Sequence, residues 1–187
     1  MATIKKLPVW KNQLPKTANN SILPFNYLIR DALKSDAEGI ISAHQNAVHV
    51  SAQESYEQAI LDEWSPILSS RVLQMEEKLQ NNPEKSIILV VESEGKIAGF
   101  GEIVPAQEEL RAIYIDPQFS RMGFGRALLQ ELESRAKKLG LAKLILHASL
   151  NAKIFYSQNG FKIDGEGNHK LSSGRLMPCI FMSKTLV

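Results

Sequence analysis

The chain holds one cysteine in 187 residues, Cys179, which excludes an internal disulfide and fits a reducing compartment. That thiol lies in the apolar run 177–182, where a cysteine packs as a small hydrophobe rather than serving as a nucleophile. No apolar stretch approaches the roughly 20 residues of a membrane-spanning helix. Nor do residues 1–25 offer a hydrophobic signal region, since Lys5, Lys6, Lys11 and Lys16 are interleaved with prolines. The expectation is a cytoplasmic protein. Excess charge is also missing: a formal net charge of +2 gives no global pull toward nucleic acid or membrane. Cys, His and carboxylates never fall at metal-ligand spacing, so no metal is expected. Internal repeats, coiled-coil heptads and low-complexity tracts are absent as well. Acid is absent from residues 1–25, which carry four lysines with Pro8, Pro15 and Pro24. That composition predicts an extended or disordered arm, with Trp10 the residue best able to anchor it. Residues 26–187 suit one domain with a sizeable core.

What is present reads as an alternation of helices and strands. A first strand is expected over 26–30. Asp36 is placed as the N-cap of a helix running through Ile40, Ile41, Ala43, Ala47 and Val48. A second helix is expected over 53–65, and a third stretch from Pro66 to about residue 79. Residues 86–91 and 96–103, joined at Glu94 and Gly95, read as a hairpin. Further strands are expected from Leu110 and from Leu144, then a short helix from Asn151 and a closing pair of strands, the last over 175–184.

The most informative stretch joins a strand to a long helix through a basic, Gly-rich loop. Leu110, Ile113, Tyr114 and Ile115 are strand residues, and Asp116-Pro117 ends the strand. Leu128, Leu129, Leu132, Ala136 and Leu139 then recur at helical spacing, with Gly140 as the C-terminal stop. Between them, Gly123 and Gly125 let backbone approach a ligand at a helix start, whose free N–H groups and dipole favour phosphate. Arg121 and Arg126 add charge there. The stretch reads as a pyrophosphate cradle. A dinucleotide fingerprint fits less well, because its third glycine position holds Leu128 and the linker from Ile115 is too long. A nucleoside-triphosphate loop needs Gly-Lys-Ser/Thr, which the chain lacks.

Some twenty-five residues later, Phe155-Tyr156 precedes Asn159-Gly160-Phe161, after the apolar strand around residues 144–147. Together with the cradle, this resembles the GNAT superfamily of N-acetyltransferases, which move an acetyl group from acetyl-CoA to an amine. The resemblance covers nearly the whole chain from residue 26. It departs from the family pattern at Ser120, where Gln or Arg is usual; backbone amides make most phosphate contacts in such loops, so affinity rather than binding itself should change. The resemblance implies an α+β fold: two or three early helices and a mixed, mostly antiparallel sheet of about six to seven strands. It further implies acetyl-CoA contacts from Ile113, Tyr114, Ile115, Ser120, Arg121, Met122, Gly123, Phe124, Gly125 and Arg126. Ser149, Asn151, Ala152, Phe155 and Tyr156 complete that set.

Acetyl transfer needs a neutral amine, a polarised carbonyl and a proton for the leaving thiolate. An ammonium of pKa near 10.4 is neutral in only about one molecule in a few thousand at pH 7, so a base or water path is required. Glu109, at the start of the strand leading to the cradle, is the candidate base, with Glu102 and Glu108 as rivals. Tyr156, a phenol protonated at neutral pH, matches the family's general acid. Backbone N–H groups of Ile113 to Ile115 are the expected carbonyl polarisers. His44, His49, His147 and His169 are weaker candidates, each equally well explained as a structural or solvent-facing group. Glu54, Glu57, Asp62 and Glu63 cluster on the second helix and would draw a cationic acceptor. The expected acceptor is a small-molecule or peptide amine, with no nucleic acid or membrane partner, and the protein a monomer or homodimer. Two rival readings are a CoA-binding regulatory module without turnover and an interaction domain that uses the basic arm.

Overall fold

Residues 87–104 are apolar enough to be covered on both sides, and they form the two strands around which everything else is arranged. The computed structural model describes residues 26–67 and 69–186. The expected arm over 1–25 lies outside the described residues.

Seven strands make one sheet in the order β1-β2-β3-β4-β5-β7-β6. They are β1 (Tyr27–Asp31), β2 (Ile87–Ser93), β3 (Lys96–Val104), β4 (Glu109–Ile115), β5 (Lys143–Ser149), β6 (Lys162–Lys170) and β7 (Leu176–Thr185). All neighbours are antiparallel except β4 and β5. This is the mixed, mostly antiparallel α+β architecture that the sequence predicts. The β2–β3 hairpin turns on Glu94 and Gly95, both left-handed at φ 53° and 73°, the geometry of a tight hairpin.

Consecutive β2 residues show why the sheet needs two covers. Leu89 packs with Leu128, Leu129 and Leu132, whereas Val90 packs with Ile40 and Phe100. The first group belongs to α4 (Phe124–Lys138) on one face; the second lies under α1 (Ala37–Asn46) and α3 (Ser70–Asn81) on the other. Both helix layers come close to β3. A β-carbon at Gly101 would lie 2.6 Å from Leu132, and one at Gly39 would lie 2.7 Å from Ile97. The remaining helices are α2 (Gln58–Trp64) and α5 (Lys153–Gln158).

Three local expectations shift, each for a tertiary reason. Asp36 precedes α1 but makes no side-chain cap. Its carboxylate instead accepts from Arg30 at 2.6 and 2.9 Å and from Leu33 N–H at 2.7 Å, closing the 3₁₀ turn Lys34–Asp36. The second helix begins at Gln58 rather than residue 53. Tyr56 is drawn inward, its hydroxyl donating to Pro178 O and accepting from Leu150 N–H, each at 2.8 Å, and Glu57 is extended. The helix expected from Asn151 starts as the 3₁₀ turn Leu150–Ala152 and becomes α-helical only at Lys153.

One break in the sheet sets up the site. β4 and β5 share a single parallel pair, Glu109 with Ile145, fastened by Ile145 N–H to Glu108 O at 2.9 Å. Beyond it the strands diverge, while β5 stays fully paired with β7. A bulge adds to the divergence: Glu102 faces Ala112 and Ile103 faces Leu110, so Arg111 is the extra residue on β4.

Candidate active site

The diverging strands leave a wedge, and its backbone is the first functional feature. Asp116 N–H donates to Ala98 O of the β3 side. By the alternation of an antiparallel ladder, Ile115 and Ile113 direct their N–H groups the other way, into the wedge. These donors therefore have no strand partner where β5 has turned aside.

Two cavities open from the wedge. The larger, about 730 Å³, is lined by Ile113, Ile115, Phe119, Ser120, Arg121, Gly123, Phe124, Gly125, Arg126, Asn151, Ala152, Ile154, Phe155, Tyr156, Gln158 and Asn159. The smaller, about 290 Å³, is lined by Trp64, Glu109, Arg111, Ile113, Tyr114, Leu146, His147, Ser149, Ala152, Tyr156, His169, Met177 and Cys179, among others. Ile113, Ala152 and Tyr156 line both. They mark the junction.

The larger cavity is floored by the start of α4. Gly123 is the N-cap, left-handed at φ 84°, a conformation that a side chain would strain. No side chain caps this end, and the intrahelical ladder begins only with Ala127 N–H to Gly123 O. The N–H groups before it are thus free for an anion. Arg121 and Arg126 are exposed beside them, and no carboxylate among the described residues pairs with either. Gly125 presents space: a β-carbon there would lie 3.4 Å from the Phe155 ring, ordinary contact, with any longer side chain directed into the cavity. These features suit a pyrophosphate. Of the residues expected to touch acetyl-CoA, Met122 packs instead with Val91, Ala98 and Phe124, while Tyr114 and Ser149 line the smaller cavity.

Tyr156, on α5, is 7% exposed and packs against Phe155 and Phe161. Burial pushes its phenol well above the usual range, with Tyr114 adding in the same direction. It holds its proton at any physiological pH. Glu109 lines the smaller cavity, with its carboxylate paired to Arg111 at 2.9 and 3.0 Å. Arg111 also reaches Glu84 at 2.6 Å. Of the rivals, Glu102 is buried and accepts from Lys78 at 2.7 Å, while Glu108 lies 3.7 Å from Lys143.

The histidines divide into two pairs. His44 is buried, with Nδ1 2.8 Å from Ser65 Oγ and its ring 4.4 Å from that of Tyr114. Burial pulls its pKa down to about 3, helped by the nearby Arg71 guanidinium. His49 Nε2 sits 2.8 Å from Ser65 O. These two brace the helix layer. His147 and His169, with rings 6.2 Å apart, line the smaller cavity. Cys179 also lines it, but burial raises its thiol pKa, which lowers the share of thiolate that a nucleophile needs. Glu54 and Glu57 precede α2, and Glu63 turns away to the β6–β7 connection.

Sequence reasoning did not place Trp64, Arg111 or Met177 at a site. Trp64 carried only the signal of a helix's apolar side, and Met177 that of a strand, so neither could be told from core. No group of three or more His, Cys, Asp or Glu among the described residues could hold a metal, and no described helix is long and apolar enough to cross a membrane.

Comparison with known proteins places this geometry. No curated protein sequence matches the chain. Solved structures do. A GCN5-related N-acetyltransferase from Rhodopseudomonas palustris superposes with a TM-score of 0.73 at 19% identity, covering 84% of this chain and 94% of its own. The PaiA N-acetyltransferase from Thermoplasma acidophilum, in complex with coenzyme A, gives 0.68 at 22% identity over 86% of this chain and 99% of its own. YncA from Salmonella typhimurium, with acetyl-CoA, gives 0.62 at 21% identity over 87% and 95%. The model of the acetyltransferase (GNAT) domain matches residues 35–174. The chain belongs to the GNAT family of acetyltransferases.

Proposed function

We propose that this protein transfers an acetyl group from acetyl-CoA to a primary amine by direct attack in a ternary complex. The observation that carries the reading is the position of Tyr156 at the junction of the two cavities, buried and protonated. Acetyl-CoA, when bound, supplies an activated thioester carbonyl. The free N–H groups at the start of α4, with Arg121 and Arg126, would hold its pyrophosphate in the larger cavity. The wedge donors of Ile113 and Ile115 would face the carbonyl oxygen, where preorganised donors are worth most. The acceptor amine would enter through the smaller cavity. Glu109 lines that cavity as the base, directly or through water, its orientation held by Arg111. Tyr156 gives its proton to the departing sulfur and lies within the same enclosure.

Release of free thiol from acetyl-CoA, measured across a panel of primary amines, tests the reading. Amine-dependent release is the expected result. Tight CoA binding with no release for any amine would favour the regulatory-module reading instead.

A further inference from the structure

Glu63 of α2 is the most heavily engaged carboxylate outside the residues already given a role. Oε1 accepts from Ser173 N–H at 2.6 Å and Ser172 Oγ at 3.3 Å; Oε2 accepts from Ser173 Oγ at 2.8 Å and Arg175 Nε at 3.3 Å. All four donors belong to the connection between β6 and β7. That connection is closed on itself by Gly174 N–H to Leu171 O and Leu171 N–H to Arg175 O, both 2.9 Å, with Gly174 left-handed at φ 93°. Glu63 therefore grips a preformed turn rather than a slack loop. The Glu63 side chain is 16% exposed while its donors Ser172, Ser173 and Arg175 are exposed, so the grip rests on four bonds acting together rather than on exclusion of water.

What the grip covers gives it consequence. Leu171, at the start of the turn, and Met177, just after it, are buried against Val48, Ala52, Tyr56 and Leu61. Trp64, next to Glu63, and His169 and Met177, on either side of the turn, all line the smaller cavity. The β6–β7 hairpin and Trp64 at the end of α2 thus both contribute to the lining of that cavity. Glu63 is a polar fastening of α2 to the hairpin tip, and among the described residues β6 is an edge strand with β7 as its one neighbour.

We infer that Glu63 is a positioning residue that latches the β6–β7 hairpin onto α2 and thereby controls access to the acceptor-side cavity. The effect on the acceptor rests on the reading that the smaller cavity receives the amine; the latch itself does not. Glu63 touches neither the α4 cradle nor Tyr156, so its loss acts on the acceptor and leaves acetyl-CoA binding alone. Replacing the carboxylate by an amide removes its charge and sets an N–H donor against either Arg175 Nε or Ser173 N–H, which weakens the latch without changing side-chain volume.

Cys179 makes the latch measurable without turnover. It is the chain's one cysteine, 2% exposed, and it lines the cavity behind the hairpin. In the full-length protein, Glu63→Gln should speed alkylation of Cys179 by iodoacetamide about tenfold. Ser173→Ala, which removes one side-chain donor, should give an intermediate rate. Hydrogen exchange in α4 should stay at the wild-type rate in both variants. With an amine substrate, Glu63→Gln should change KM for the amine severalfold while the Kd for CoA, by calorimetry, stays fixed. Alkylation at the wild-type rate overturns the latch. So does faster alkylation accompanied by faster exchange in α4, since that reports general destabilisation. Faster alkylation with an unmoved amine KM overturns the control of acceptor access. If the wild-type protein acetylates no amine but alkylation still accelerates, the transferase reading fails and the latch stands.

Discussion

Tyr156 shows how one residue acquires a role from its surroundings. A phenol that has lost its water keeps its proton, and this one keeps it where the two cavities meet. Tyr156→Phe preserves the ring contacts with Phe155 and Phe161 and deletes only the donor. We expect kcat to fall by about 10²- to 10⁴-fold with CoA affinity and melting temperature nearly unchanged; full activity at saturating amine would remove Tyr156 from the mechanism. Glu109→Gln is the matching test of the base: a raised pH optimum supports Glu109, and an unchanged pH–rate profile assigns proton removal to water. Asp36 is informative about stability. Hydrogen bonding from Arg30 holds its carboxyl below the usual range, against the opposing effect of burial and with help from Leu33 N–H. A folded-state pKa below the unfolded value means stability that is present above the unfolded value, about 3.9, and lost as pH falls through the folded one. His44 acts earlier in the same direction. Burial keeps it neutral in the folded state down to about pH 3, so the unfolded chain takes up a proton first as pH drops below about 6.5. Asp36→Asn should cost about 1–3 kcal/mol at pH 7 and flatten the stability curve only below about pH 4. Urea titrations from pH 3 to 7 would show whether the two windows separate in this way.

Among the elements, α4 joins fold to chemistry most directly. Its middle is buried through Leu128, Leu129, Leu132 and Ala136, none more than 1% exposed, while its N-terminus faces the larger cavity without a cap. Packing fixes the helix so that its free N–H groups need not reorganise for a ligand. Gly125→Glu would send a bulky anion into the space beside Phe155 and weaken CoA binding about tenfold or more, a loss of about 1.4 kcal/mol. Calorimetric affinity equal to wild type would refute the cradle. Gly123→Ala acts differently, through a left-handed backbone that costs an ordinary residue roughly 1–2 kcal/mol. It should lower stability and CoA affinity together. Tyr56 plays a structural part of similar weight, since its hydroxyl joins Leu150 N–H to Pro178 O and so ties the segment before α2 to the start of α5 and to β7.

At the scale of the whole molecule, the formal charge of +2 is too small to steer a polyanion, so the proposed binding of acetyl-CoA rests on local attraction from Arg121, Arg126 and the α4 dipole. CoA affinity should fall as salt rises from about 50 to 500 mM, where the screening length drops below about 10 Å, and Arg126→Ala should reduce that dependence. A salt response equal to wild type in the variant would place the contact elsewhere. The sequence alone determined much of this protein. Periodicity revealed β2, β3 and α4, because alternation and a 3.6-residue repeat record which faces must leave water. Glycines beside arginines at a helix start pointed to the uncapped N-terminus of α4, because the requirement for space and positive φ is local. The Phe155-Tyr156 pair was legible through the family resemblance, which rests on the pair and the Gly-rich loop together. Tertiary structure alone decided the rest. Helix α2 starts late because Tyr56 is spent on Leu150 and Pro178, and Asp36 caps no helix because Arg30 claims it. The smaller cavity gathers Trp64, Arg111, His147, His169 and Met177 from separate elements, and nothing in their sequence spacing marks them. The wedge exists because β4 keeps one pair with β5 and carries Arg111 as an extra residue, a matter of strand register rather than composition. A local pattern can say which atoms seek burial or a partner; which partner each finds is settled only when distant strands and helices compete for the same hydrogen bonds.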